Sequence, residues 1–354
     1  MTHIDLSILL PSYNNVCVSL VQALQRQADA LRGKLDKPFR YEIIVADDGS
    51  TDAACIDANR VIGDMLHCRY LRMEQNVGRA QIRNVLISES RGDYVLLIDS
   101  DLFLCDDNYL YKYATSTADV VYGGTRIGGE GFAMVDNEAN NDEINVENIQ
   151  YEGAKSENVR NEGYTENLKG NLRYIYEKKA EPSHRAVFRQ LRPNQEISVC
   201  NLYARRDIME AHPFDSRFKA YGYEDVLFGK RLAESGIEVT HIDNPVLINE
   251  FEPNSVFVKK TEEAILTLCR FEQDLEGYSN LKTKVTTLGR YIPLSLFRLW
   301  HRIMKNKEKR NLTGPKPSLL LFKLYKLGFF LTSSLKKHTF YNLLINNILY
   351  LCVT

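Results

Sequence analysis

The fold of this chain is decided by the stretch Val95-Leu96-Leu97-Ile98-Asp99-Ser100-Asp101. Four apolar residues in a row predict a strand that is buried on both faces, as in a parallel sheet covered by helices. Because residues i and i+2 of an extended segment point the same way, Asp99 and Asp101 can face one ligand. Mg²⁺ and Mn²⁺ prefer carboxylate oxygens and commonly bridge them to phosphates. The alternative is that both acids only cap a turn, where Asp is frequent.

Strands and helices alternate along the sequence that precedes this stretch. We predict strands at residues 5–10, 41–46 and 68–73, and helices at 16–35, 53–64 and from 78 onward. This alternation predicts an α/β fold with a mostly parallel central sheet flanked by helices.

Ligands of such sheets collect at the carboxyl ends of the strands, where Tyr13, Asp48 and Asp101 fall. In a shared nucleotide site Tyr13 can stack on a base and Asp48 can accept hydrogen bonds. Arg79 or Arg83 can pair with phosphate. Arginines at the start of a helix can also serve only solvation, so neither is decisive alone.

Four segments resemble the nucleotide-sugar half of family 2 glycosyltransferases. They follow the family's order and are Leu9–Asn14, Val45–Asp52, Asn76–Ala80 with Arg83-Asn84, and Asp93–Asp101. The resemblance implies the GT-A fold, a nucleotide-diphosphate sugar donor with a UDP-sugar favoured, and a divalent metal, Mn²⁺ or Mg²⁺. It implies metal ligation by Asp99 and Asp101. It implies donor contacts by Pro11, Tyr13, Asn14, Asp48, Arg79, Arg83 and Asp99.

Glu224 and Asp225 form a second acidic pair, at the start of a predicted helix. Acids are favoured there by the helix dipole without any function. Tyr223-Glu224-Asp225 also resembles the family's second acidic motif, which implies that Asp225 is the catalytic base. Glu224, Tyr223 and Asn201 are then expected at the acceptor. An acceptor hydroxyl needs a base at neutral pH, and the metal offsets charge on the leaving nucleoside diphosphate, so we expect one displacement with inversion.

The third metal ligand is left open by the sequence. His241-Ile242-Asp243-Asn244-Pro245 resembles a segment of bacterial members of the family in which a His a few residues after the Pro completes the metal shell. This chain has Leu247-Ile248-Asn249 at that place. We therefore expect His241, Asn249 or water as the third ligand, although a lone His at a strand end is more often structural.

The predicted catalytic domain covers residues 1–279. Residues 1–125 form its nucleotide-sugar-binding half, and residues 197–279 form its acceptor and catalytic half. Between them lies a variable insertion, 128–196, whose first part is rich in Asn, Glu and Gly and is typical of a surface loop. Loops of this size can be lids, acceptor-binding elements or plain surface insertions.

The C-terminal extension, residues 280–354, is strongly basic. It contains 14 Lys and Arg against the single acid Glu308, a net charge of +13, in a chain whose net charge is −1. Basic, aromatic and leucine-rich helices predict binding to an anionic membrane surface over 281–354. The alternatives are a helical subdomain packed on the catalytic domain or a dimer interface. No stretch reaches about 18 uncharged apolar residues, which argues against a spanning helix.

Seven cysteines occur singly, which favours reduced thiols in a cytosolic compartment. With no signal-peptide pattern, we expect a cytoplasmic protein, peripheral on the inner face of the plasma membrane. Nucleic acid is not an expected partner because long aliphatic side chains suit lipid better, and the oligomeric state is not predicted. Two other functions stay open: a non-catalytic sugar-nucleotide or glycan-binding protein, and a nucleotidyltransferase. The latter needs a Gly-rich basic loop that Pro11-Ser12-Tyr13-Asn14 lacks.

Overall fold

A computed structural model describes residues 3–36, 38–128, 168–291 and 293–334. The chain divides into two compact units. The sheet unit comprises Met1–Leu168, Glu177–Lys219 and Glu224–Phe251, and the helical unit comprises Lys169–Tyr176, Ala220–Tyr223 and Glu252–Thr354. The helical unit thus begins before the boundary expected at residue 280. The loop predicted at the start of the 128–196 insertion lies outside the described residues.

The described part of the sheet unit contains ten strands. They are β1 (Ile4–Ser12), β2 (Tyr41–Asp47), β3 (Cys68–Arg72), β4 (Gly92–Ile98), β5 (Phe103–Leu104), β6 (Val120–Tyr122), β7 (Thr125–Ile127), β8 (Asn201–Arg205), β9 (Thr240–His241) and β10 (Val246–Ile248). Seven of them form the central sheet in the order β3-β2-β1-β4-β8-β6-β9. The neighbours from β3 to β4 are parallel, β8 is antiparallel to both of its neighbours, and β9 is parallel to β6. The expected α/β class with a mostly parallel sheet is confirmed.

Burial explains why β1, β2 and β4 are interior strands of the central sheet. All seven residues of β2 are buried, as expected for a strand covered on both faces. In the registered row across the sheet, Ile8 of β1 pairs with Ile43 of β2 and with Leu96 of β4, and all three are fully buried. Since β1 lies between β2 and β4, the strand order reverses at β1. The carboxyl ends of β1 and β4 therefore border the crevice in which open α/β sheets bind ligands.

Three short strands form a second sheet, in the order β5-β10-β7, that the sequence did not predict. Strands of two or three residues are too short to show an alternating pattern. The chain passes from β9, which has two residues, to β10, which has three.

Helices cover the sheet as expected. They are α1 (Val18–Lys34), α2 (Ala53–Arg60), α3 (Arg79–Glu89), α4 (Tyr109–Ala114), α6 (Ala186–Arg189), α7 (Arg206–Ala211) and α8 (Glu224–Glu234). Helix α5 (Leu172–Ala180) belongs partly to each unit. The helix predicted over 53–64 is α2 followed by a 3₁₀ turn, Val61–Asp64. It begins where the Asp52 carboxylate accepts hydrogen bonds from the amides of Ala54 and Cys55.

The helical unit consists of α9 (Asn254–Arg270), α10 (Asn280–Leu288), α11 (Leu294–Leu312) and a helix α12 over residues 319–334. Its core is a cluster of buried apolar residues contributed by α5, α9, α11 and α12: Leu172, Val258, Leu312, Phe322 and Tyr325. This cluster groups α9 with the C-terminal helices. Within the described residues, we find no helix that combines the length and the apolar character needed to cross a bilayer.

A buried His–Glu pair on α11 faces Gly328 of α12. His301 Nδ1 is 2.8 Å from Glu308 Oε2, and both side chains are buried. A Cβ atom at Gly328 of α12 would lie 2.3 Å from the His301 ring. The close approach of α12 to this pair therefore requires glycine at position 328.

Candidate active site

The acidic turn after β4 is fixed against the loop that follows β1. The Leu102 amide donates to the Asp99 carbonyl at 3.3 Å and closes the turn. The Asn15 side-chain amide donates to the Ser100 carbonyl at 2.8 Å. Asp99 is half-buried and Asp101 is exposed. The turn therefore presents both carboxylates at the crevice beside β1.

Arg83 joins the two acidic motifs. Its Nη2 donates to Asp99 Oδ1 at 2.7 Å, and its Nη1 donates to Glu224 Oε1 at 3.3 Å. The Arg83 side chain is buried, which would lower its pKa, but the Asp99 and Glu224 carboxylates raise that pKa above its usual range. Burial would raise the pKa of Asp99, but Arg83, with Arg79 one turn earlier on α3, lowers it. Asp99 is thus held as a carboxylate.

Asp225 is the neighbour of this bridge. Burial, and then the charge of Glu224, raise the pKa of Asp225 to about 7. Its Oδ1 accepts a hydrogen bond from the Val226 amide at 2.8 Å, which sets the carboxylate at the first turn of α8. A carboxylate that titrates near neutral pH is suited to take a proton from a hydroxyl. The neighbouring atom Glu224 Oε2 is also buried, and it has no hydrogen-bond partner among the residues that the structure describes.

Asp48 connects the loop after β2 to the start of α3. Its two oxygens accept hydrogen bonds from the amides of Val77, at 2.7 Å, and Gly78, at 3.1 Å. Burial raises the pKa of Asp48, and the two amides partly offset that shift. Gly78 has φ +92°, a conformation that favours glycine. Asp48 thereby helps to position the helix that carries Arg79 and Arg83.

Asn14 holds the loops after β1 and β2 together. Its Oδ1 accepts hydrogen bonds from the amides of Thr51, at 2.8 Å, and Asp52, at 2.9 Å. Its own amide donates to Ser50 Oγ at 2.8 Å. These hydrogen bonds fix Asn14 between the two loops, and its predicted donor contact stays a prediction.

Two other residues expected at the donor, Pro11 and Tyr13, precede Asn14 in the chain. Tyr13 is 48 % exposed, so its ring is accessible for stacking. Pro11 is half-buried in β1, in register with Ala46 of β2. Tyr223, which was expected at the acceptor, directly precedes α8 in the chain and has φ +72°.

Asn201 is not available to an acceptor, contrary to expectation. It is fully buried in β8, and its Oδ1 accepts hydrogen bonds from the hydroxyls of Tyr109 and Tyr113 at 2.6 and 2.7 Å. Its Nδ2 donates to the carbonyls of Gly124 and Asn244 at 2.8 and 2.9 Å. The prediction was wrong because a polar residue in a strand near the site has the same sequence pattern whether it is exposed or buried.

His241 is also not placed as a metal ligand. Its Nδ1 lies 3.0 Å from Arg189 Nη1 and its Nε2 lies 2.8 Å from the Pro193 carbonyl, so both ring nitrogens are engaged. Burial lowers the pKa of His241 to about 4, and the neutral ring donates from Nε2 and accepts at Nδ1. In the central sheet, two strands separate β9 from β4. The metal-ligand prediction for His241 was wrong for these reasons.

The acids at the end of β4 suit a divalent ion whose remaining ligands come from other molecules. No group of three or more His, Cys, Asp and Glu able to hold a metal occurs in the described part of the chain. Asp99 and Asp101 alone offer two hard carboxylates, which suits Mg²⁺ or Mn²⁺ when phosphate and water supply the other ligands. Asn249, the other candidate, packs its side chain against Gly128.

Two residues that support the site were missed in the sequence. Asn15 fixes the Asp99–Asp101 turn, as described above. Asn59, buried in α2, donates from Nδ2 to the Asn15 carbonyl at 2.7 Å and accepts from the Cys17 amide at 3.0 Å. Asn on the buried face of a predicted helix is a usable signal for such a role, because a buried amide must find partners.

Comparison with known proteins agrees with this geometry. The family model described as "Glycosyl transferase family 2" matches residues 7–178. Residues 7–178 thus resemble members of glycosyl transferase family 2. The mostly parallel sheet, with the acidic turn at the carboxyl end of β4, agrees with the fold expected from that resemblance.

The curated relatives of this chain match over a limited part of their length. A dodecaprenyl-phosphate galacturonate synthase of Rhizobium johnstonii is 31 % identical over 100 residues, which are 28 % of this chain and 28 % of the relative. A dolichyl-phosphate beta-glucosyltransferase of Dictyostelium discoideum is 34 % identical over 103 residues, 28 % of this chain and 31 % of the relative. The match thus spans less than a third of either relative.

A mannosyltransferase from Pyrobaculum calidifontis, solved with GDP-Man and Mn²⁺, is among the similar structures. It has a TM-score of 0.47 and 13 % sequence identity, and the alignment covers 95 % of this chain and 87 % of that one.

Proposed function

We propose that the chain is an inverting, metal-dependent glycosyltransferase that moves a sugar from a nucleotide-diphosphate sugar, preferably a UDP-sugar, to a hydroxyl of a glycan or lipid-linked acceptor. The observation that carries the proposal is the Arg83 bridge. One buried guanidinium contacts both Asp99, on the predicted donor side, and Glu224, the neighbour of the predicted base. A site that only binds a nucleotide has no need to couple these two motifs.

Asp225 is the proposed general base. Its raised pKa means that it is a carboxylate above about pH 7 and can then accept the acceptor hydroxyl proton. Glu224 stays fixed by Arg83, so its charge acts on Asp225 from one position. A base of this kind typically contributes about 10²–10⁴ in rate. Because the attacking oxygen and the leaving group lie on opposite sides of the anomeric carbon, a single displacement inverts its configuration.

The donor half holds the nucleoside diphosphate in this proposal. Tyr13 stacks on the base, Asp48 accepts a hydrogen bond from the nucleoside, and Arg79 pairs with phosphate. Asp99 and Asp101 would hold Mn²⁺ or Mg²⁺, with water as the third ligand. A bound ion of this type supplies positive charge for the departing diphosphate.

Two observations support the proposed acceptor and the proposed location. The names of the two relatives refer to dodecaprenyl phosphate and dolichyl phosphate, which are lipid phosphates. The extension 280–354 has a net charge of +13. Both favour a lipid-linked acceptor and a peripheral position on an anionic membrane, at its cytoplasmic face.

The test is donor binding and hydrolysis against UDP-, GDP-, dTDP- and CMP-sugars with Mn²⁺ or Mg²⁺. We expect one donor to be bound and hydrolysed only with metal. Asp101→Ala should lose metal-dependent binding, whereas Asp225→Asn should keep binding and lose turnover. Asp64→Ala, which removes an exposed acid elsewhere, is the matched control. Donor binding without turnover in the wild type would favour a binding protein, and no binding to any donor would reject the proposal.

A further inference from the structure

Helix α11 has a second apolar side that faces away from its own core. Leu296, Leu299 and Ile303 are 61, 53 and 70 % exposed. Their spacing of three and four residues places them on one side of the helix. The buried residues His301 and Glu308 lie on the other side. We refer to Leu296, Leu299 and Ile303 as the outer face.

Basic side chains follow the outer face along the helix. Lys307 and Arg310 follow Ile303 at four and seven residues, on the same side of the helix, and both are exposed, as is the flanking Arg302. The only acid in residues 280–354 is Glu308. Because Glu308 is buried, the described surface of this segment presents cations without exposed carboxylates among them.

We propose that the outer face of α11 lies on the surface of an anionic lipid bilayer. Leu296, Leu299 and Ile303 enter the boundary between headgroups and acyl chains, and Arg302, Lys307 and Arg310 contact lipid phosphates. Amphipathic helices with an apolar side and flanking Lys and Arg bind membranes in this way. The proposal names the binding face for the membrane partner given under the proposed function, and it does not depend on catalysis.

The positive charge beside the outer face favours an anionic lipid surface over the other molecules that could cover an apolar face. A second copy would bring the same basic side chains together, and like charges oppose such pairing. Residues 335–354 contain no acidic side chain, so they cannot neutralise the cations beside the face. A nucleic acid would use the cations but leave three aliphatic side chains in water. An anionic bilayer complements both properties.

The chain carries a reporter at this face. Trp300 is the only tryptophan, and it lies on α11 between Leu299 and Ile303. It is half-exposed and packs against Phe297 with ring centroids 5.3 Å apart. Its fluorescence should therefore change when the outer face leaves water.

The experiment uses the full chain and vesicles of phosphatidylcholine with phosphatidylglycerol, compared with phosphatidylcholine alone. We expect the Trp300 emission to shift to shorter wavelength, and to be quenched by brominated lipid, only with the anionic vesicles. Binding should weaken as salt rises, because exposed charges are screened. Sedimentation with the vesicles gives the partition coefficient independently of fluorescence.

Variants distinguish vesicle binding through the outer face from non-specific binding. Leu296→Ser/Leu299→Ser/Ile303→Ser should lower the partition coefficient at least about tenfold. Lys307→Gln and Arg310→Gln should each lower it about fivefold. Leu66→Ser is the matched control, since Leu66 is 67 % exposed in the sheet unit and should leave binding unchanged.

The outcomes also separate this proposal from the proposed function. Loss of vesicle binding by the triple variant, with donor hydrolysis unchanged, supports the assignment. Wild-type chain that does not bind anionic vesicles, a triple variant that binds as well as wild type, or binding to DNA in place of vesicles would overturn it. Vesicle binding by a wild type that hydrolyses no donor would reject the proposed function and leave this assignment standing.

Discussion

Arg83 Nη2 lies 2.7 Å from Asp99 Oδ1, and through its other nitrogen Arg83 also reaches Glu224, 141 residues further along the chain. One side chain of α3 thus fixes the end of β4 and the start of α8. Removing a guanidinium from such an arrangement leaves carboxylates without their partner in a buried place. Such a loss is costly.

Arg83→Met should therefore lower the free energy of unfolding by about 3 kcal/mol or more, because Met keeps the length of the side chain but not its charge. Urea unfolding measures the change. Arg79→Met, one turn away and exposed, is the control and should change stability by no more than about 0.5 kcal/mol. Equal small effects of both substitutions would show that the bridge contributes little.

The second prediction concerns pH and Asp225. Since Asp225 acts only as a carboxylate, turnover should fall below an inflection near pH 7. Glu224→Gln removes the charge that helps to raise this pKa, so the inflection in kcat/KM should move to lower pH. A profile that does not move in Glu224→Gln would mean that Glu224 has no electrostatic influence on the base.

Stability should show the opposite pH dependence. The pKa of Asp225 is higher in the folded chain, about 7, than its ordinary value of 3.8, so the folded state binds the proton more tightly. The contribution of this proton to the free energy of unfolding is present below pH 4 and is lost as pH rises through 7. We expect Asp225→Asn to remove this loss, as measured by unfolding at pH 5 and pH 8.

The two acidic motifs illustrate what the sequence can reveal. Asp48, Asp99 and Asp101 follow strands whose apolar runs are unmistakable, so their meeting at one edge could be predicted from strand order alone. The contact from Arg83 to Glu224 could not, because it depends on how α8 packs after a long insertion. Local patterns do not encode that placement.

The errors have a common physical origin. Asn201 and His241 lie in or next to strands near polar turns, and their sequence context does not distinguish a ligand from a buried hydrogen-bonding group. Tertiary partners decide: two tyrosine hydroxyls for Asn201, and Arg189 for His241. The second sheet could not be predicted for the same reason, because β5, β7 and β10 are recognisable as strands only through their pairing with one another.

The fourth prediction concerns Asn15. Asn15→Ala removes the hydrogen bond to the Ser100 carbonyl, so the turn that carries Asp99 and Asp101 becomes less fixed. Groups that orient metal ligands typically contribute about 10–100-fold in affinity. We expect Mn²⁺ affinity, measured by titration with donor nucleotide present, to fall about tenfold. Asn14→Ala loosens the neighbouring loop and should affect nucleotide binding more than metal binding. A reversed pattern would contradict the assignment.

The last prediction tests the corrected role of His241. His241→Ala should leave Mn²⁺ affinity unchanged, because both ring nitrogens serve Arg189 and Pro193 and not the acidic turn. It should lower the free energy of unfolding by about 1–3 kcal/mol, since the Pro193 carbonyl and the Arg189 guanidinium lose a partner in a buried place. His241→Gln can restore part of that network and should recover part of the stability. If His241→Ala instead weakened Mn²⁺ binding while keeping its stability, His241 would have to move to the acidic turn when the donor binds.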